Sequence, residues 1–99
     1  MSQPTSIVGL CVIEFYLPGL NSLKDKRSVL KPMLTRLRNT FNVSTAEVGH
    51  QDVWQSAAIA VATVTNTTVH ANQVIDNVIK WIEDNYPDAM IVKQNVEIL

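Results

Sequence analysis

The chain predicts an α+β fold, a four-stranded antiparallel sheet carrying two helices on one face. Three observations support it. Apolar periodicity changes along the 99 residues in the order strand, helix, strand, strand, helix, strand. Both helical stretches are amphipathic with one apolar stripe, so each buries a single side. The first strand is apolar on both alternating faces, as expected of a strand inside a sheet and not at its rim.

That strand is "IVGLCVIEFYL" (7–17). "PGLNS" (18–22) then breaks the pattern with Pro, Gly and Asn, all turn formers. From Ser22 the period is helical, with Leu23, Leu30, Met33, Leu34, Leu37 and Phe41 falling in one apolar sector. Ser22 and Asp25 match a capping box in which Asp replaces the usual Glu or Gln, and Asn42 is the stop.

Pro32 lies inside this stretch, where it removes one backbone hydrogen bond and crowds the carbonyl of Ser28. Both residues fall opposite the apolar stripe, so water can take up that carbonyl and the helix can bend convex toward solvent. The other arrangement is an irregular turn over 23–30 with the helix starting near Pro32, a favoured first position. The cap pattern and Leu23 in the stripe favour one bent helix.

"VSTAEVG" (43–49) and "SAAIAVATVT" (56–65) read as two strands joined by "HQDVWQ". "TVHANQVIDNVIKWIEDNY" (68–86) is the second helix, with Ala71, Val74, Ile75, Val78 and Ile82 on one face and Pro87 ending it. "MIVKQNVEIL" (90–99) alternates as a last strand. With right-handed crossovers, β-α-β-β-α-β folds most simply into the ferredoxin-like split βαβ arrangement.

Composition describes one globular domain over 1–99, with residues 1–5 expected to be a loose terminus. The chain is 46% hydrophobic and 17% charged, which suits a single packed core. No apolar run reaches membrane-spanning length, and the start of the chain lacks a signal-peptide pattern. The single cysteine, Cys11, sits in an apolar stretch and is expected to be a buried thiol.

The net charge of −1 hides an asymmetry: residues 22–41 carry a net +5 and the remainder −6. Lys24, Arg27, Lys31 and Arg38 fall on one flank of the first helix, beside the apolar stripe. Lys26 is placed at the other edge of the stripe, where its stem lets the ammonium reach outward, and Arg36 stands alone on the far flank. Such a ladder can track successive phosphates and release their counterions. A solvated helix face would also carry charge, and cations in a last turn complement the helix dipole. Lys24, Lys26 and Arg27 lie in the first turns, against the dipole, and ask for another reason.

The loop gathers His50, Gln51, Asp52 and Trp54. As a partner-contacting site, His50 with Asp52 supplies a base and Trp54 a stacking surface. As plain structure, the loop is a hairpin whose Asp caps a turn and whose Trp folds onto the core edge. Glu47 alternates as a strand-face carboxylate, and His70 sits in the first turn of the second helix as a surface residue. No recurring ligand spacing points to a metal, and no glycine-rich phosphate loop or serine elbow points to a cofactor or hydrolase.

"SLKDKRSVLKP", "RLRNTFNVSTAEVGHQDVWQ" and "DNYP" resemble the small bacterial YlxP-like proteins, a family of unknown function, over nearly the whole chain. The resemblance implies a ferredoxin-like fold and a cytoplasmic bacterial protein. That family's genes often lie beside those of translation initiation and ribosome-binding factors, which points toward the ribosome; no catalytic residue carries over.

The first functional expectation is therefore a non-enzymatic, RNA- or ribosome-associated protein docking through Lys24, Arg27, Lys31 and Arg38. The strands lack the exposed aromatic pair of RNA-recognition sheets, so the contact is expected on the helix side. The alternative is a homo-oligomeric interaction module. It would use the open sheet face, where Ala58, Ala60 and Ala62 allow close approach beside an apolar first strand. An enzyme rests only on His50 and Asp52.

Overall fold

Local chemistry sets where each element begins and ends. In chain order they are β1 (Ile7–Tyr16), α1 (Leu23–Thr40), β2 (Ser44–Gly49), β3 (Ser56–Thr65), α2 (Thr68–Asn85) and β4 (Met90–Ile98). The computed structural model describes residues 3–99. Of the terminus expected to be loose, Met1 and Ser2 lie outside the described residues, while 3–5 are exposed and carry no regular structure.

The Ser22 hydroxyl accepts from the Asp25 amide at 3.0 Å, as a capping box requires. The Asp25 carboxylate reaches back to the amide of Asn21 at 3.2 Å, one residue earlier than the usual partner. Pro32 lies inside one continuous helix, not at the start of a shorter one. It and Ser28 are exposed, where the unbonded carbonyl meets water. Phe41 closes α1 with its amide on the Leu37 carbonyl at 2.9 Å. Thr67 caps α2 by accepting from the His70 amide at 3.1 Å, and Pro87 follows Tyr86, the C-cap.

The sheet runs β2-β3-β1-β4 with every neighbouring pair antiparallel. β1 and β3 pair along their full lengths, from Ile7↔Thr65 to Tyr16↔Ser56. β1 and β2 flank β3, and β3 and β4 flank β1, so each helix crosses over one intervening strand. This is the ferredoxin-like α+β fold.

Cys11, Ile13, Phe15, Ile59 and Val61 face the helices and are fully buried. α1 adds Leu30, Met33 and Leu37 to that core, and α2 adds Ala71, Ile75, Val78 and Ile82. Burying each of the larger side chains contributes about 1.5–3 kcal/mol. α2 packs closest over β1 at Gly9, where a methyl group would come 3.0 Å from Ile75 Cδ1 and 3.2 Å from Ala71 Cβ. The other sheet face stays uncovered by helices. It carries Val8, Leu10 and Val12 half-buried beside Ala60 and Ala62, with Glu14 among them.

Candidate functional site

α1 lies above β2. Arg38 reaches Thr45, donating through Nη1 to Oγ1 at 2.7 Å, and Lys26 reaches Glu47 at 3.1 Å. Arg36 points the opposite way, toward α2. Its guanidinium sits 4.8 Å from the Trp81 ring centroid and 5.4 Å from that of Tyr86. It donates to the Tyr86 hydroxyl at 3.1 Å and to Asn85 Oδ1 at 3.3 Å. Sequence placed Arg36 alone on the far flank; the structure makes it the tie between the two helices.

Lys24, Arg27, Lys31 and Arg38 are all exposed, on the flank turned away from α2. Among the described residues the ion pairs are Lys26 with Glu47 and His50 with Glu14, so none of these four has a carboxylate partner. Arg38 is steadied by hydroxyls alone, since Nη2 also donates to Thr35 Oγ1 at 3.2 Å. At about 1.5 Å of rise per residue, the row from Lys24 to Arg38 spans roughly 21 Å.

Lys26 corrects the sequence expectation. It does not reach outward; it is 1% exposed, one of the largest fully buried side chains. Its ammonium donates to the carbonyls of His50 at 2.7 Å, Ser56 at 3.2 Å and Gln51 at 3.5 Å. Glu47 Oε2 faces it at 3.1 Å without a hydrogen bond, leaving that buried oxygen with an ion-pair contact only. An ammonium has three donors and no acceptor. Carbonyl lone pairs at a chain reversal satisfy them, and the carboxylate balances the charge. The apparent crowd of six cations is thus four free ones, one buried anchor and one interhelical tie.

The anchor holds the loop that sequence singled out. His50 has φ 57°, a left-handed conformation, costing about 1–2 kcal/mol for a residue with a side chain. Lys26 bonds its carbonyl, which also accepts from the Val53 amide at 3.0 Å. Its ring lies 3.1 Å from Glu14 Oε1, on the open sheet face. The expected His50–Asp52 pair is therefore not formed: the left-handed turn carries the imidazole across to β1. Gln51 contributes its backbone carbonyl, and Asp52 and Trp54 are exposed. The Trp does not fold fully onto the core, since it stays 46% exposed.

A groove of about 840 Å³ lies elsewhere, between the β1–α1 turn, the Pro32 surface of α1, and Tyr86 and Pro87. The 50–55 loop does not line it. No cluster of three or more metal-ligating side chains occurs among the described residues. Burial pushes the Cys11 thiol above its ordinary range, by loss of hydration of the thiolate. No helix among the described residues is long and apolar enough to cross a membrane.

Sequence reasoning placed the cationic ladder correctly on α1 but missed Lys26. The signal was present: Lys26, Leu30, Met33 and Leu37 follow i, i+4, i+7, i+11 spacing, which puts Lys26 in line with the buried stripe.

The de novo designed protein Foldit4 superposes with a TM-score of 0.53, covering 95% of this chain and 96% of that chain. At 10% identity that likeness speaks for the fold alone. The uncharacterized protein YlxP of Bacillus subtilis (strain 168) is 38% identical over 82 residues, which is 83% of this chain and 88% of the relative. Residues 8–96 match the family described as "Protein of unknown function (DUF503)", and the chain belongs to that family.

Proposed function

We propose that this protein is a non-enzymatic accessory of bacterial translation or ribosome assembly that docks on RNA through the outer flank of α1. The observation that carries the reading is the row of Lys24, Arg27, Lys31 and Arg38, exposed and without a carboxylate partner. Lys24 and Arg27 stand in the first turns of α1, where the helix dipole disfavours cations. A self-contained fold gains nothing from them there; an external anion offsets that cost. Lys26, which shares the first turns, is excluded from the contact because its charge is spent inside.

Phosphates are the chemistry such a row meets. Each cation brought to a phosphate releases condensed counterions, which gives affinity and salt dependence but reads no bases. The open sheet face offers Tyr16, 42% exposed, and no second exposed aromatic on β1 or β3 to stack bases. The proposed contact is therefore the helix flank, recognising backbone shape and charge.

The test is fluorescence-anisotropy titration of single-stranded and duplex RNA over a potassium chloride series. Four neutralised phosphates predict a log–log salt slope of roughly −3 on the single strand and nearer −4 on the duplex. Replacing the four cations by alanine abolishes the slope and most of the affinity. Affinity that survives this replacement unchanged refutes the reading.

A further inference from the structure

β4 is a rim strand of the sheet, and its free edge is complementary to its own reverse. Val8 and Leu99 exchange both backbone hydrogen bonds, at 3.1 and 2.8 Å. By antiparallel alternation Glu97, Asn95 and Lys93 also turn their backbone groups toward β1, opposite Leu10, Val12 and Glu14. The backbone groups of Gln94 and Val96 then point outward from the sheet. The strand is exposed from Val92 to Glu97, and Val92, Val96 and Leu99 are large apolar side chains at 62%, 43% and 64% exposure.

Rim strands ordinarily carry a lysine to repel edge-to-edge pairing. Lys93 serves that purpose against most strands. Against a second copy of this one it does the reverse, because Glu97 lies four residues on and on the same face. In an antiparallel pair centred on Asn95, Lys93 faces the partner's Glu97 and Glu97 faces the partner's Lys93. These are non-hydrogen-bonded positions, where side chains approach most closely. Gln94 and the partner's Val96 fall at the hydrogen-bonded positions, which are the ones whose backbone groups are free. Registers centred on Lys93 or Glu97 oppose like charges.

The geometry points to a two-fold dimer in which β4 pairs antiparallel with β4 of a second copy about Asn95, extending the sheet to eight strands. The other route to a homodimer, stacking two open sheet faces, would take Glu14, Lys93 and Glu97 out of water. Edge pairing leaves them at the surface with opposite charges as neighbours. The bulge between Glu14 and Phe15 displaces β4 at Val92, so the paired run is bounded to the stretch from Lys93 to Glu97 and its immediate flanks.

Sedimentation velocity on the full chain tests this at high micromolar concentration. The wild type is expected to be a dimer. Lys93→Glu and Glu97→Lys each place like charges opposite one another and weaken dimerisation roughly tenfold to a hundredfold. The double swap Lys93→Glu/Glu97→Lys restores the dimer, and an equimolar mixture of the two single variants forms a heterodimer. Both positions are exposed, so the variants fold, which circular dichroism checks. A monomeric wild type overturns the inference. So does a dimer indifferent to either reversal, as face-to-face stacking would give, or a double swap that fails to restore association.

Discussion

Lys26→Met keeps the buried aliphatic stem and deletes the ammonium. Three carbonyls, of His50, Gln51 and Ser56, lose a charged donor, and Glu47 loses its counter-ion. A hydrogen bond to a charged group contributes about 1.5–3 kcal/mol, and breaking a buried ion pair costs about 3–5 kcal/mol. Two features pull the total toward the low end. The Glu47 side chain keeps 25% exposure, so its stranded carboxylate stays partly hydrated, and the His50 carbonyl retains the Val53 amide. The expected loss is about 3 kcal/mol, a fall in Tm of roughly 12–24 °C for a domain of this size. Urea unfolding of Lys26→Met, Glu47→Leu and the double variant measures it. The double variant recovers the part due to the stranded carboxylate and stays below wild type, because the carbonyls remain without their donor. Hydrogen exchange at Val53 rises in both variants lacking Lys26. A Lys26→Met protein within about 0.5 kcal/mol of wild type would refute the account of Lys26 as the loop's anchor.

Gly9→Ala is expected to destabilise by about 1–3 kcal/mol through overpacking, since its methyl would meet Ile75, Ala71 and Thr63 within 3.3 Å; an unchanged urea midpoint contradicts the close approach of α2. Pro32→Ala restores a helix-interior hydrogen bond on the solvent side of α1 and is expected to raise stability by about 1–3 kcal/mol, read as a higher midpoint with unchanged helical circular dichroism. Cys11, 1% exposed, reacts with a disulfide reagent only after denaturant is added. Its thiol is raised above the ordinary 9.0. The unfolded thiol therefore ionises first, and stability falls as pH rises past that value, an effect that Cys11→Ala removes.

The element order was legible because it depends on short-range pattern. Ser22, Asp25 and the apolar spacing of α1 need no tertiary information, and the structure reproduces the helix from Leu23 to Thr40. The apolar character of both faces of β1 placed that strand inside the sheet, where the structure has it. The exposed ladder was legible for the same reason: a helical wheel assigns flanks from spacing alone. The wheel also sets Lys26 among Leu30, Met33 and Leu37, but residue type argued for an outward head. Only Glu47, contributed by β2, and the carbonyls of His50, Gln51 and Ser56 reverse that preference.

Amino-acid order settles what is local. It set which stretches are strands or helices, where they stop, and which side chains share a face, all consequences of backbone geometry and period. The tertiary structure decided which charges remain available. Lys26 is neutralised where α1 crosses β2, Arg36 is drawn to Trp81 and Tyr86 where α1 meets α2, and His50 turns to Glu14 rather than Asp52. The physical reason is that a charge is satisfied by whatever the fold brings within a few ångströms of it. That proximity is set by packing between elements far apart in the chain.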